Sequence, residues 1–209
     1  RENVFIVSKV WPTDLGFEPT QAAVTGSLAA MHTDHIDLYL LQYPRCIEAL
    51  DWMNCEESQI PGAGWRESWR ALEKEYAEGR VLSIGVSNFA LEELQELVAF
   101  SAVKPHVVQN YFEPGKIDQK LVDYCKDEDI RLMAYSSLRY QETFDEELNF
   151  AIHGVANSHW RTSEAILLRS LVQQGVVVIP RSENVVHMLE NQQSFHWDLT
   201  DEQMKVLGW

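Results

Sequence analysis

Val81–Phe89 reads VLSIGVSNF, and this stretch decides the fold. An acidic, helix-like segment closes on Gly79 just before it, and a helical pattern, LEELQELVAF, opens just after it. A short apolar run bounded in this way reads as a buried parallel strand. Its last residues are Gly85, Ser87 and Asn88, so a polar pair stands at the strand's C-terminal end. In α/β folds that end is the rim where ligands bind.

The layout recurs along the chain. Val4–Ser8 is followed by Lys9, Ile36–Leu41 by Gln42, and Val107–Val108 by Gln109 and Asn110. Ile130–Ala134 leads to Tyr135, Ser136 and Ser137, and Val176–Pro180 to Arg181 and Ser182. Helical patterns separate the six runs: Glu18–Met31, Trp65–Glu78, Leu91–Phe100, Ile117–Lys126 and Ser163–Val172, with Glu183–Gln192 and Thr200–Leu207 closing the chain. One apolar run ending in polar residues is ordinary. Six in register predict one polar rim built from strand ends, within a single α/β unit.

Charge and composition narrow the function. The net charge of −15 disfavours non-specific binding to nucleic acid or anionic membranes, and a polyanionic ligand needs a local basic site. No run approaches the ~20 apolar residues of a membrane span, and no basic-then-apolar leader opens the sequence. Cys46, Cys55 and Cys125 have neither metal nor redox spacing, so free thiols in a reducing, cytoplasmic compartment are expected. His32, Asp34, His35 and Asp37 crowd a helix-to-strand junction, where strand alternation spreads neighbours to opposite faces. A solvated junction is expected there, not a metal site. Gly62-Ala63-Gly64 has Glu67 where a dinucleotide fingerprint needs its third glycine. Trp65, Trp69, Leu72 and Tyr76 recur at helical spacing and read as core. His153 and His159 are assigned to a solvated face.

The motifs FIVSKVW, HIDLYLLQYP, IGVSNF, VVQNYFEP, MAYSSL and VVIPRS, in that order, resemble successive strand motifs of the aldo-keto reductases. The resemblance runs from Arg1 to Trp209. It implies a (β/α)8 TIM-type barrel that binds a nicotinamide dinucleotide and moves hydride to or from aldehydes and ketones. About six of eight βα units are expected here, because such barrels use about eight strands and ~250 residues. The chain starts at Arg1 directly before a strand, so it is expected to lack two upstream units. The strands at Val4–Ser8 and Val176–Pro180 would then be open edges that invite self-association.

The resemblance also assigns residues. Lys9 matches the lysine that lowers the pKa of a tyrosine acid, and that tyrosine and its partner aspartate are expected upstream of Arg1. Gln42 stands where the family has a histidine. Its amide can donate to a carbonyl oxygen but cannot exchange a proton. Ser87, Asn88 and Gln109 match the contacts to the nicotinamide carboxamide, and Tyr135 the ring stacked on the nicotinamide. Ser136 and Leu138 match the pyrophosphate loop. Arg181 and Ser182 match the 2′-phosphate site, with arginine where lysine is commoner. His187 replaces an arginine, and Glu190 and Asn191 match the adenine contacts. NADP(H) is the cofactor implied, with NAD(H) as the alternative, and the substrate is a small carbonyl compound. A nucleotide-binding protein or regulatory subunit without catalysis is the alternative function, and a fragment that does not fold alone is a third. The irregular excursion from Pro44 to Gly64 reads equally as a substrate wall or as an insertion without chemistry.

Overall fold

The computed structural model describes residues 3–47, 50–53, 55, 64–112, 118–139 and 146–209. Residues 62–63, 117 and 141–145, which figure in the readings above, lie outside the described residues. The chain divides into two compact units, Arg1–Val108 with Asp127–Ile130, and Gln109–Lys126 with Arg131–Trp209. Six strands appear in the order of the chain, β1-β2-β3-β4-β5-β6.

The first unit holds β1 (Val7–Val10), β2 (Leu38–Leu41) and β3 (Ile84–Ser87). These pair in parallel, with Lys9 opposite Leu40 and Leu40 opposite Gly85. β2 and β3 are buried at every position, which is why they read as unbroken apolar runs and not as alternation. Helix α1 (Phe17–Ala30) starts at Gly16, whose φ of 123° only glycine adopts readily. Helix α2 (Gly64–Ala77) buries Trp65, Trp69 and Leu72, as their spacing predicts. Tyr76 is half-buried, its ring 5.2 Å from that of His106. Helix α3 (Leu91–Phe100) spans the predicted residues. Glu93 caps it by accepting from the Ala90 backbone N–H at 2.9 Å.

A buried carboxylate anchors α2. Glu75 is fully buried and receives Arg80 at 2.6 Å and the Gln21 amide at 3.0 Å. Arg80 in turn immediately precedes Val81, whose backbone pairs with Ile36. Nearby, Ser27 of α1 meets the Tyr39 hydroxyl at 2.8 Å, giving that buried phenol a partner.

In the second unit β5 (Arg131–Tyr135) pairs in parallel with the two-residue β6 (Val177–Val178). β4 (Val107–Tyr111) has its first two residues in the first unit and the rest in the second. Helices α4 (Gln119–Asp127), α5 (Glu146–His159), α6 (Ser163–Gln173), α7 (Val185–Gln192) and α8 (Asp201–Val206) complete the chain. Ile152, Val155, Ile166, Leu167, Leu199, Met204 and Leu207 form the core of this unit, with Trp197 and Trp209 against it. Thr162 caps α6 by accepting from Ala165 N, the entry point expected from the sequence.

Three expectations are corrected. Lys9 lies inside β1 and not after it, because the strand begins three residues later than predicted and leaves Val4 and Phe5 exposed. Cys46 and Cys55 are not free thiols: they are joined by a disulfide whose Cα atoms are 5.8 Å apart. A spacing of nine carries no signature, and only the turn after β2 brings the two together. Closing so short a loop restricts the unfolded chain by roughly 2.5–3 kcal/mol. It also removes cysteine usage as an argument for a reducing compartment. Finally, His159 is not solvated throughout. Its Nε2 lies 3.0 Å from Gln203 Oε1 and its ring 5.2 Å from that of Trp197.

Candidate active site

In the first unit Lys9 lies within β1, Gln42 directly follows β2, and Ser87 and Asn88 end and follow β3. Register places Lys9, Leu40 and Gly85 in one row across β1, β2 and β3. Gly85 is required there, since an added Cβ would lie 2.3 Å from the Val107 carbonyl oxygen. Lys9 is half-buried, and burial lowers its pKa from the ordinary lysine value because the charged form loses hydration. A lysine held in this way exchanges its proton more readily than a surface lysine does.

Gln42 follows β2 and is fixed by its backbone. Its N–H donates to Val10 O at 3.1 Å, and its carbonyl accepts from Asn88 Nδ2 at 2.9 Å. The same Asn88 amide lies 3.2 Å from the Ser87 hydroxyl. Asn88 has φ 59°, a left-handed conformation that asparagine tolerates better than most residues. Ser87 is fully buried. The strand end is thus a tied polar knot, and not a loose turn.

The second unit holds the remaining predicted residues. Gln109 is buried within β4, and its amide donates to the Met133 sulfur at 2.9 Å, a weak acceptor for so good a donor. Tyr135 ends β5 with its ring 6.0 Å from Tyr111. Directly after it Ser136 takes φ 56°, a strained value for serine of the kind that clusters at ligand sites. The adjacent Ser137 hydroxyl is buried without a hydrogen-bond partner among the described residues.

These residues line two adjoining clefts. One, of about 410 Å³, runs along Tyr135, Ser136, Ser137, Leu138 and Arg139 to Ile179, Pro180 and Arg181. The other, of about 120 Å³, is lined by Leu138, Arg181, Ser182, His187, Glu190 and Asn191, together with Thr162 and Glu164. All six residues assigned to the loop–adenosine end that line this pocket were predicted. Thr162 and Glu164 were missed, and so was Ser137 as a site residue. Thr162 reads from the sequence as a helix cap, and it also donates to Glu190 Oε1 at 2.7 Å. Arg181 is 90% exposed and ion-paired to Glu183 at 2.9 Å. Asn184 caps α7, its Oδ1 accepting from Val186 N at 2.9 Å.

Elsewhere the junction histidine cluster is locally paired, His35 Nδ1 with Asp34 at 2.6 Å and Asp37 with Ile6 N at 2.8 Å. Among the described residues no group of three or more His, Cys, Asp or Glu is placed to hold a metal ion. No helix among them is long and apolar enough to cross a membrane.

A parallel sheet alternating with helices, carrying polar residues at its strand ends, defines the class as (β/α)8-barrel proteins, of which the described residues supply six strands. The aldo/keto reductase family profile matches residues 1–207, and the chain belongs to that family. It is 36% identical over 204 residues to glyoxal reductase of Bacillus subtilis (strain 168), covering 98% of this chain and 67% of that protein. An aldo/keto reductase from Brucella melitensis superposes with a TM-score of 0.83 at 30% identity, over 100% of this chain and 73% of that one. An aldo-keto reductase solved in complex with NADPH gives a TM-score of 0.87 at 28% identity, over 100% of this chain and 64% of that chain. The chain therefore spans about two thirds of the length of the curated relatives it matches.

Proposed function

We propose that this chain forms the nicotinamide-binding part of an oxidoreductase domain that moves hydride between NADP(H) and an aldehyde or ketone. The observation that carries the reading is the small cleft in which Leu138, Arg181, Ser182, His187, Glu190 and Asn191 converge. The buried, unpartnered Ser137 hydroxyl and the left-handed Ser136 fit a phosphate-bearing ligand, since both offer donors at a strained strand end. In this reading Ser136, Ser137 and Leu138 hold the pyrophosphate, and Arg181 and Ser182 hold the 2′-phosphate. His187, Glu190 and Asn191 surround the adenine. By the resemblance, Ser87 and Asn88 of the first unit are assigned to the carboxamide; in the second unit Gln109 is assigned to the carboxamide and Tyr135 to the nicotinamide ring.

When bound, the dinucleotide supplies or accepts the hydride. The chain's own residues bind, orient and tune. Lys9, with its lowered pKa, provides a cation at the strand end that favours an anionic oxygen beside it. The Gln42 amide donates a hydrogen bond to the substrate oxygen without moving a proton. A second reading, a nucleotide-binding protein without turnover, is favoured by Gln42, because an amide stands where a titratable group would relay a proton.

Affinity for NADPH and NADH, followed by quenching of tryptophan fluorescence, tests the assignment. Arg181 has to leave Glu183 to meet a 2′-phosphate, yet a charge-assisted contact remains worth about 1.5–3 kcal/mol. Arg181→Ala is expected to weaken NADPH by roughly ten- to a hundredfold and to leave NADH nearly unchanged. Equal affinities for both cofactors in the wild-type chain would refute the 2′-phosphate site. Oxidation of NADPH by glyoxal would exclude the silent binder.

A further inference from the structure

Helix α7 supplies three of the residues that line the small cleft, His187, Glu190 and Asn191, yet no residue of the helix is buried. Packing therefore does little to fix the direction of its side chains. The ties between this segment and α6 with its entry are polar. The Thr162 hydroxyl donates to Glu190 Oε1 at 2.7 Å, Arg161 Nη1 to Gln193 Oε1 at 3.2 Å, and Arg169 Nη1 to the Ser194 carbonyl at 2.8 Å. Gln193 and Ser194 follow the helix, so of these three partners Glu190 alone lines the cleft.

The direction of the Thr162 proton follows from its neighbours. The same oxygen accepts from Ala165 N at 3.2 Å as the cap of α6, and an ionised carboxylate has no proton to offer. The hydroxyl hydrogen therefore goes to Glu190. One carboxylate oxygen is occupied in this way, and among the described residues the other, Oε2, makes no hydrogen bond. The amide of the adjacent Asn191 carries donors and an acceptor, and it can turn to suit either kind of partner. Of these two residues only Glu190, an acceptor alone, can tell a donor from an acceptor on a ligand.

We propose that Thr162 is a positioning residue: it fixes the Glu190 carboxylate so that the cleft selects adenine, with its exocyclic amine, over hypoxanthine, with a carbonyl at the same place. The inference rests on the dinucleotide-binding reading and assigns the origin of its base selectivity. An amine hydrogen donates to the carboxylate, whereas a carbonyl oxygen there sets acceptor against acceptor. Thr162 acts through Glu190. A carboxylate held at one oxygen keeps the other in a fixed place, and one released from Thr162 turns freely and discriminates less.

Dissociation constants of NADPH and of its hypoxanthine analogue, read on the full chain by quenching of tryptophan fluorescence, test the proposal, with thermal melts of the same samples. The wild-type chain should prefer NADPH by about ten- to a hundredfold, the range of one charge-assisted hydrogen bond. Thr162→Val should lower that preference by about three- to tenfold, and Thr162→Ser, which keeps a hydroxyl, should retain it. Thr162→Val also loses the helix cap, so Thr162→Asp separates the two roles. Aspartate caps α6 from the same position but has no proton for Glu190. Its Tm should exceed that of Thr162→Val while its base preference falls as far. Glu190→Gln should abolish the preference, since an amide serves either base, and adding Thr162→Val should then change it no further. Wild-type base preference in Thr162→Asp overturns the proposal, as does a preference that survives Glu190→Gln. Equal binding of the two analogues by the wild-type chain overturns it too, and leaves the dinucleotide reading standing. A chain that binds neither analogue sinks that reading and the proposal with it.

Discussion

Replacing Gly85 by alanine probes the packing on which the strand-end site rests. An alanine Cβ would fall 2.3 Å from the Val107 carbonyl oxygen and 2.8 Å from Leu40 Cδ2. Non-bonded heavy atoms are comfortable at about 3.5 Å, so roughly 1 Å must be found. The leucine methyl can rotate away, but the carbonyl is main chain and moves only with its strand. Overpacking of this kind costs about 1–3 kcal/mol or more, and a rigid obstacle places it at the upper end. Gly85 does not have a positive φ, so no backbone strain adds to the steric cost. The lower entropy of the unfolded alanine chain returns ~0.4–1 kcal/mol. A net loss of about 2–3 kcal/mol corresponds to a Tm lower by roughly 4–12 °C for a chain of this size. Gly26 in α1 is the control, since nothing lies within 4 Å of its added Cβ. Gly26→Ala should be stabilising by about 0.5–1 kcal/mol. Circular dichroism melts of the three proteins decide the matter. An unchanged Tm for Gly85→Ala, beside a raised one for Gly26→Ala, would show that β3 and its neighbour yield without cost.

Three further outcomes follow from buried ionisable groups. Arg80→Met leaves the fully buried Glu75 carboxylate with only the Gln21 amide among its described partners, and should cost about 3–5 kcal/mol in urea unfolding; adding Glu75→Gln should recover much of it. Burial pushes the Cys125 thiol up to about 12, so the native chain holds that proton after the unfolded chain, with a thiol pKa of about 8.5, has lost it. Stability should therefore fall from about pH 8.5 towards 12, and Cys125→Ala should flatten that decline in pH-dependent melts. Lys9 has the opposite sign: between its lowered pKa and 10.5 the unfolded chain holds more protons, so its contribution rises with pH, and Lys9→Met should remove that rise.

Much of this architecture is legible in the order of residues. Strands buried on both faces are unbroken apolar runs, so β2, β3 and β5 announce themselves, and helix caps such as Thr162 and Thr200 mark their own positions. Six residues that the resemblance assigns to the loop and adenosine end line one small cleft together, which follows from the order of the strand-end motif VVIPRS and the helix after it. What was not legible depends on distance in space. Lys9 lies within β1 because pairing with β2 sets the strand's limits, and local composition favoured an earlier start. Glu75 and Arg80 look like two surface charges until α2 and the following turn bring them together out of water. The left-handed turns at Asn88 and Ser136 follow from how the chain leaves the sheet, and neither residue type demands them. The disulfide depends on the path of the loop between its ends.

The bonds that fix position 42 have a consequence for how this site can change over time. Its backbone N–H is held by Val10 and its carbonyl by the Asn88 amide, so among the described residues the hydrogen bonds that fix this strand end run through the Gln42 backbone and not its side chain. Mutation can therefore replace the functional group there while the frame around it stays intact. Asn88 has no such freedom, because it combines a left-handed backbone with the amide that ties the knot. Position 42 is where a lineage can try new chemistry at little risk to folding, and Asn88 is the residue that makes the experiment safe.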